Sequence, residues 1–184
     1  MTETIDRNRT IMLGFAFVVL LALSSVENTL LFQNLSADFF TENPLLAVGI
    51  LFMNNVLVAS LILVGMTFYV GLVLNFFVRG KYERIVLEHP KTFALVFAVM
   101  ILFLSILRGA SILQGGVNVQ ALPMILLISA PVGIVEGYGI YVTLKKTLSR
   151  TMSMKDMVYI YGIFFIAAVM EVGFTSLLVW VTIT

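Results

Sequence analysis

From Pro44 to Val78 the chain carries no charged side chain, and leucine, valine, isoleucine and phenylalanine fill most of the stretch. A helix crosses a bilayer in roughly 20 predominantly apolar residues, so a run of this length constrains the fold before anything else does. Shorter runs of the same character recur along all 184 residues. Hydrophobic residues make up 60% and charged residues 11%, with a mean hydropathy of +1.07. Soluble domains run at about 45–50% and about 25%. The chain reads as one polytopic membrane domain whose first partner is the lipid bilayer. A net charge of +1 and no basic tract give no reason to expect nucleic acid. With no cysteine, neither disulfides nor thiolate chemistry is available.

Spans are expected at about residues 10–32, 55–78, 92–113, 121–144 and 157–181. Ile11–Phe32 is longer than the apolar core of a signal peptide and lacks a clear A-x-A site, so it reads as a retained first span. Pro44–Arg79 is too long for one span and short for two plus a turn. The polar pair Asn54-Asn55 near its start divides it into a re-entrant or interfacial segment, Pro44–Met53, and a second span. Ser153 and Asp156 have capping-box spacing, with Asp in place of Glu or Gln, which suits the start of the last span.

Charge placement orients these spans. The loop Arg79–Lys91 is rich in bases, and Lys145–Asp156 holds four bases against one acid. The loop Gln33–Asn43 is acidic, and Gln114–Gln120 is uncharged. Five spans with a cytoplasmic N-terminus and an outer C-terminus keep every base outside the spans on the inner side of the plasma membrane. The bases Lys145, Lys146, Arg150 and Lys155 then anchor a helix end among the headgroups. Tyr138, Tyr141, Tyr159 and Tyr161 straddle that loop, as interfacial packing residues do.

The candidate functional residues are the ionisable groups inside the spans: Glu27, Arg108, Glu136 and Glu171. A charge there is costly and needs a partner. At about 1.5 Å of rise per residue, Glu27, Arg108 and Glu171 lie about 20–25 Å from the cytoplasmic ends, and Glu136 about 14 Å. A contact between Arg108 and Glu171 or Glu27 is the least costly arrangement. Ser129, Gly133, Glu136, Gly137 and Ile140 share one helical face, and Ala167, Ala168, Glu171 and Thr175 share another. Pro131, Gly133 and Gly137 form a packing motif in which two glycines at small-xxx-small spacing allow close backbone approach. With Asn54 and Asn55, these residues define one intramembrane polar seam. It serves either as structural glue or, given three carboxylates for one guanidinium, as a proton or cation site.

An enzyme is not expected. Asp6, Asp38 and Asp156 all lie outside the spans, and the lone His89 sits in a loop. Neither an aspartyl nor a serine–histidine intramembrane site can be assembled, and there is no H-E-x-x-H. No cofactor or metal is expected.

Three further patterns bear on family. Phe52-Met53-Asn54-Asn55 leads into an apolar span with Gly65 and Gly71. Pro131-x-Gly133-x-x-Glu136 lies in the fourth span. Ser153-Met154-Lys155-Asp156 opens a last span that carries Glu171 and Thr175. Over roughly Leu51–Val179 the chain resembles the stage II sporulation protein M family. The resemblance implies five spans and a non-enzymatic integral membrane protein. The namesake anchors a complex that remodels cell wall during engulfment. Relatives often read Pro-His-Gly in the fourth span, where this chain has Val132, so no role resting on that imidazole carries over.

The expected architecture is therefore an all-α five-transmembrane-helix bundle with a short re-entrant or interfacial helix before span 2. The expected role is membrane scaffold or recruiter of other membrane or membrane-associated proteins. Gly133 and Gly137, or Pro44–Met53, also suit homo-oligomerisation. The competing role is a small transporter or channel for protons, cations or a small solute, using the intramembrane carboxylates.

Overall fold

A computed structural model describes residues 7–30, 39, 42–75, 86–100 and 122–183. Almost all of these are helical, and none is in a strand. The helices are α1 (Arg7–Leu30), α2 (Pro44–Asn75), α3 (Pro90–Met100), α4 (Leu122–Leu148) and α5 (Met154–Ile183). Among the described residues three stretches are long and apolar enough to cross a membrane: Asn8–Val26, Pro44–Val73 and Met154–Leu177. The all-helical, membrane-compatible class expected from the apolar runs is what the chain adopts. Of the expected third span, only the part up to Met100 lies within the described residues.

Helix α2 departs from expectation. It runs unbroken for 32 residues through Asn54 and Asn55, where a break between an interfacial segment (residues 44–53) and the second span was expected. The physical reason is that the helix satisfies its own backbone at these positions, so only the two amide side chains need accommodation. Both are buried. The supposed interfacial segment is part of the packed bundle, because Ala47 and Leu51 are buried with Ala168 and Val172 of α5. Asn43 accepts the amide hydrogen of Ala47, and Pro44 occupies the first turn, where its missing N–H costs nothing. At about 1.5 Å per residue α2 is roughly 48 Å long, against about 30 Å of hydrocarbon, so it must tilt or extend past the bilayer.

Helix α2 is the hub of the bundle, packing on α1, α4 and α5. Its contacts fix the directions of its neighbours. Thr10, Gly14 and Phe17 of α1 meet Gly71, Phe68 and Gly65 of α2 in reverse order, so the two are antiparallel. Phe52 meets Phe165, and Ser60 meets Tyr161, so α5 is antiparallel to α2. Gly139 lies against Phe164, and Lys146 pairs with Asp156, so α4 is antiparallel to α5.

The interior sets small side chains against a few large ones. Ala59, Ala94, Ile140, Leu144, Ile160 and Phe164 form a central cluster drawn from α2, α3, α4 and α5. Large apolar residues also cover the outside. Phe15 is 73% exposed, and Ile11, Met12, Val18 and Leu23 are exposed with it along α1. This is the distribution expected when the surroundings are as apolar as the core.

The α1–α2 contact is the closest. A Cβ on Gly14 would lie 2.8 Å from the Phe68 ring, and one on Gly65 would lie 2.7 Å from the Phe17 ring. The two rings stack with centroids 6.4 Å apart. At Gly71 a Cβ would meet the Thr10 Oγ1 at 2.7 Å. Thr10 is fully buried and short, so it has little room to retreat. Gly71→Ala is expected to destabilise the bundle by about 1–3 kcal/mol through overpacking. Gly49→Ala, whose methyl would meet nothing within 4 Å, should hold or raise stability. Unfolding of both variants in mixed detergent micelles checks the contrast.

Candidate functional site

Helix α4 enters the site through Pro131 and presents Val132, Gly133, Glu136, Gly137 and Ile140 as buried residues, while Ile134 and Tyr138 are exposed. The inward face is thus the one that carries the glycines and the carboxylate. Glu136 is only 5% exposed, and the residue is not without a partner. Gly133, Ile134, Gly137, Tyr138 and Tyr141 face Leu95, Ala98 and Val99 of α3 across an apolar groove of about 250 Å³. The two glycines therefore lie beside a neighbouring helix of the same chain.

Glu171 lies on α5 next to Val172, in the α2–α5 cluster, and is half-buried and likewise partnered. Thr175, one turn on, is half-buried. Asn54 and Asn55 are buried in α2, and the Asn55 Nδ2 has no hydrogen-bond partner among the described residues. Glu136 and Glu171 stand at different levels. Glu136 is one turn from Gly139, which faces Ile163 and Phe164, whereas Glu171 follows Ala168, which packs with Leu51. Arg108 lies outside the described residues, as does the side chain of Glu27, and with them the expected Arg108–Glu27 and Arg108–Glu171 contacts. Among the described residues no group of three or more His, Cys, Asp or Glu could hold a metal ion.

The tyrosines around the α4–α5 turn act as polar cross-links. Tyr161 shares a hydrogen bond with Ser60 at 3.2 Å, and the Tyr138 and Tyr159 hydroxyls meet at 3.4 Å. Lys145 sits over the Tyr141 ring, 5.6 Å from its centroid.

The turn itself is capped from both sides. Ser153 donates its amide and hydroxyl hydrogens to Asp156 Oδ2 at 3.0 and 2.7 Å, and its Oγ accepts the Asp156 amide at 3.2 Å. This is the reciprocal box anticipated from the spacing, with Asp closing it in place of Glu. Lys146 adds an ion pair to Asp156 at 3.2 Å. The α4 end closes with Thr151 N–H on the Lys146 carbonyl and Arg150 N–H on the Thr147 carbonyl, both 3.0 Å. That is the Schellman pattern, and it puts Arg150 in the left-handed region at φ 55°. Nothing in the residue types announced this, because Ser149-Arg150-Thr151 lacks the glycine that usually marks such a cap.

Compared with family models, curated proteins and solved structures, the chain matches none.

The Ser153 hydrogen bond, and next to it Lys146, hold the Asp156 carboxyl, ahead of the apolar run Met157–Val181, below its ordinary value of 3.8. A lowered folded-state value supplies stability that is fully present above pH 3.8 and disappears as the pH falls through the lower folded value. Asp156→Asn is therefore expected to flatten the acid-unfolding profile below pH 3.8 and leave it unchanged in shape near neutrality. Ser153→Ala, which removes the cap, should cost about 1 kcal/mol at neutral pH. Thermal unfolding in detergent across that pH range checks both.

Proposed function

We propose that the chain is a five-span protein of the plasma membrane, N-terminus inside and C-terminus outside. In this reading it serves as a non-enzymatic scaffold or partner-recruiting component of the stage II sporulation protein M type. The orientation is supported by the way the helices turn back on one another. Arg9 at the start of α1 and Arg150 between α4 and α5 border the same cavity, which gathers two basic flanks at one end. A cytoplasmic end is where such residues accumulate.

The observation that carries the scaffold reading is the setting of Glu136. It is buried and partnered, and it lies on a face of small residues beside a groove with apolar walls. A carboxylate that exchanges ions with water needs a polar route to it, and the described residues around Glu136 build packing surfaces. A buried polar or ionisable group of this kind can specify which helices meet, and in which register, without increasing stability.

Transport by way of the intramembrane carboxylates is the competing function, and one experiment separates the two. The purified chain is reconstituted into liposomes that carry a pH-sensitive dye, with imposed proton, sodium or potassium gradients. The scaffold reading predicts gradients that decay as they do in protein-free liposomes, with Glu136→Gln indistinguishable from the parent. Faster decay that Glu136→Gln abolishes would establish transport and sink the scaffold reading.

A further inference from the structure

At the end of the bundle where α1 begins and α4 turns into α5, Arg9, Leu63, Thr67, Val70, Thr147, Arg150 and Met152 enclose a cavity of about 260 Å³. It draws on α1, α2, α4 and the turn before α5, so it exists only in the folded bundle.

Among the described residues that line it, the charges are all positive. Arg9 and Arg150 are both exposed, and among the described residues neither guanidinium has an acidic partner. Asp156, the one acid of the adjacent turn, is taken by Lys146 and Ser153. Lys145 is over Tyr141. The other polar groups of the wall are also committed, since Thr67 donates to the Leu63 carbonyl and Thr147 to the Thr143 carbonyl, each at 2.7 Å. Among the described residues of the wall, the side-chain donors left to meet a ligand are the two guanidiniums. Leu63, Val70 and Met152 supply an apolar floor beneath them.

Arg150 adds a second, independent observation. Among the described residues it is the only one other than glycine with positive φ. Glycine adopts that conformation freely, whereas an L side chain is strained in it. Strain kept where a glycine would relieve it points to use of the side chain. A guanidinium fork matches phosphate oxygens better than any other side chain does.

We propose that this cavity binds a phosphate group, clamped between Arg9 and Arg150. Its volume lies below the range of about 300–1,000 Å³ typical of sites for drug-sized molecules, which suits a compact headgroup. The proposal holds whether the bundle is a scaffold or a conduit. An anionic lipid as the source of the phosphate rests on reading this end of the helices as the membrane surface. Basic pockets between helices at that level are known to take anionic headgroups.

The test uses the full chain in an uncharged detergent and reads the unfolding temperature as each probe is added. The probes are dioctanoyl phosphatidylglycerol, dioctanoyl phosphatidylcholine and inorganic phosphate. The variants are Arg9→Gln, Arg150→Gly and, as an exposed base that does not line the cavity, Lys155→Gln. Phosphatidylglycerol is expected to raise the unfolding temperature of the parent in a saturable way. Each cavity variant should weaken that binding about fivefold, the factor that corresponds to one basic residue at a charged surface. Lys155→Gln should leave it unchanged. Without any probe, Arg150→Gly should unfold no lower than the parent, because glycine relaxes the cap.

A response to phosphatidylglycerol alone identifies a lipid as the source. An equal response to inorganic phosphate supports the same site with free phosphate as ligand. Equal shifts in the parent and in both cavity variants, an equal response to phosphatidylcholine, or no shift in the parent with any probe would overturn the proposal. So would loss of stability in Arg150→Gly without any probe, which would make the arginine a structural cap.

Discussion

In lipid, helices gain nothing from hiding apolar surface from one another, because the acyl chains outside are as apolar as any core. What remains is close contact, and close contact needs small residues. The rest of this bundle depends on that constraint. Gly14 and Gly65 are notches for Phe68 and Phe17, and Gly71 receives Thr10. Ala47, Ala59, Ala94, Ala167 and Ala168 are buried, while Phe15, Met12 and Leu45 face outward. Removing a notch pushes two helices apart along their length, so its cost is not confined to one side chain.

The same constraint explains how polar groups are accommodated. A hydroxyl or amide in an apolar interior must find an acceptor within reach. The threonines of α2 and α4 do so locally, Thr67, Thr143 and Thr147 each donating to the carbonyl four residues back. Tyr161 reaches across to Ser60, a cross-helix tie between α5 and α2. Glu136 is buried on the face of α4 that carries Gly133 and Gly137. The charged residues that remain exposed, Arg9 at the start of α1, Glu42 before α2, Glu88 and Lys91 at the start of α3, and Arg150 and Lys155 around the α4–α5 turn, all lie at helix ends, where water and headgroups can meet them.

Much of this was legible in the residues. Long charge-free runs located the helices, because the hydrocarbon excludes anything that leaves backbone groups unpaired. Ser153 and Asp156 marked the start of α5, and the spacing of Gly133, Glu136 and Gly137 marked the inward face of α4. The Asn54-Asn55 pair misled, since polarity in a side chain was read as a break in the backbone, and α2 runs straight through it. The Gly–Phe notches were out of reach for a different reason. A glycine shows that something can come close, but which residue does so depends on helix pairing, and Phe68 lies far from Gly14 in the chain. Arg150 escaped notice because its conformation is imposed by the cap around it.

The most direct test of the account is solvent access along α4 and α2 in the intact membrane. The chain has no cysteine, so single introduced thiols report without background. The account predicts that Ser149→Cys reacts with a membrane-impermeant reagent only from the cytoplasmic side and Asn43→Cys only from outside. Thr143→Cys, on the buried face of α4 beyond Glu136, should react from neither. Reaction of Thr143→Cys from one side would reveal a water-filled path into the seam and contradict a packed scaffold. Labelling of Ser149→Cys from outside would contradict the orientation.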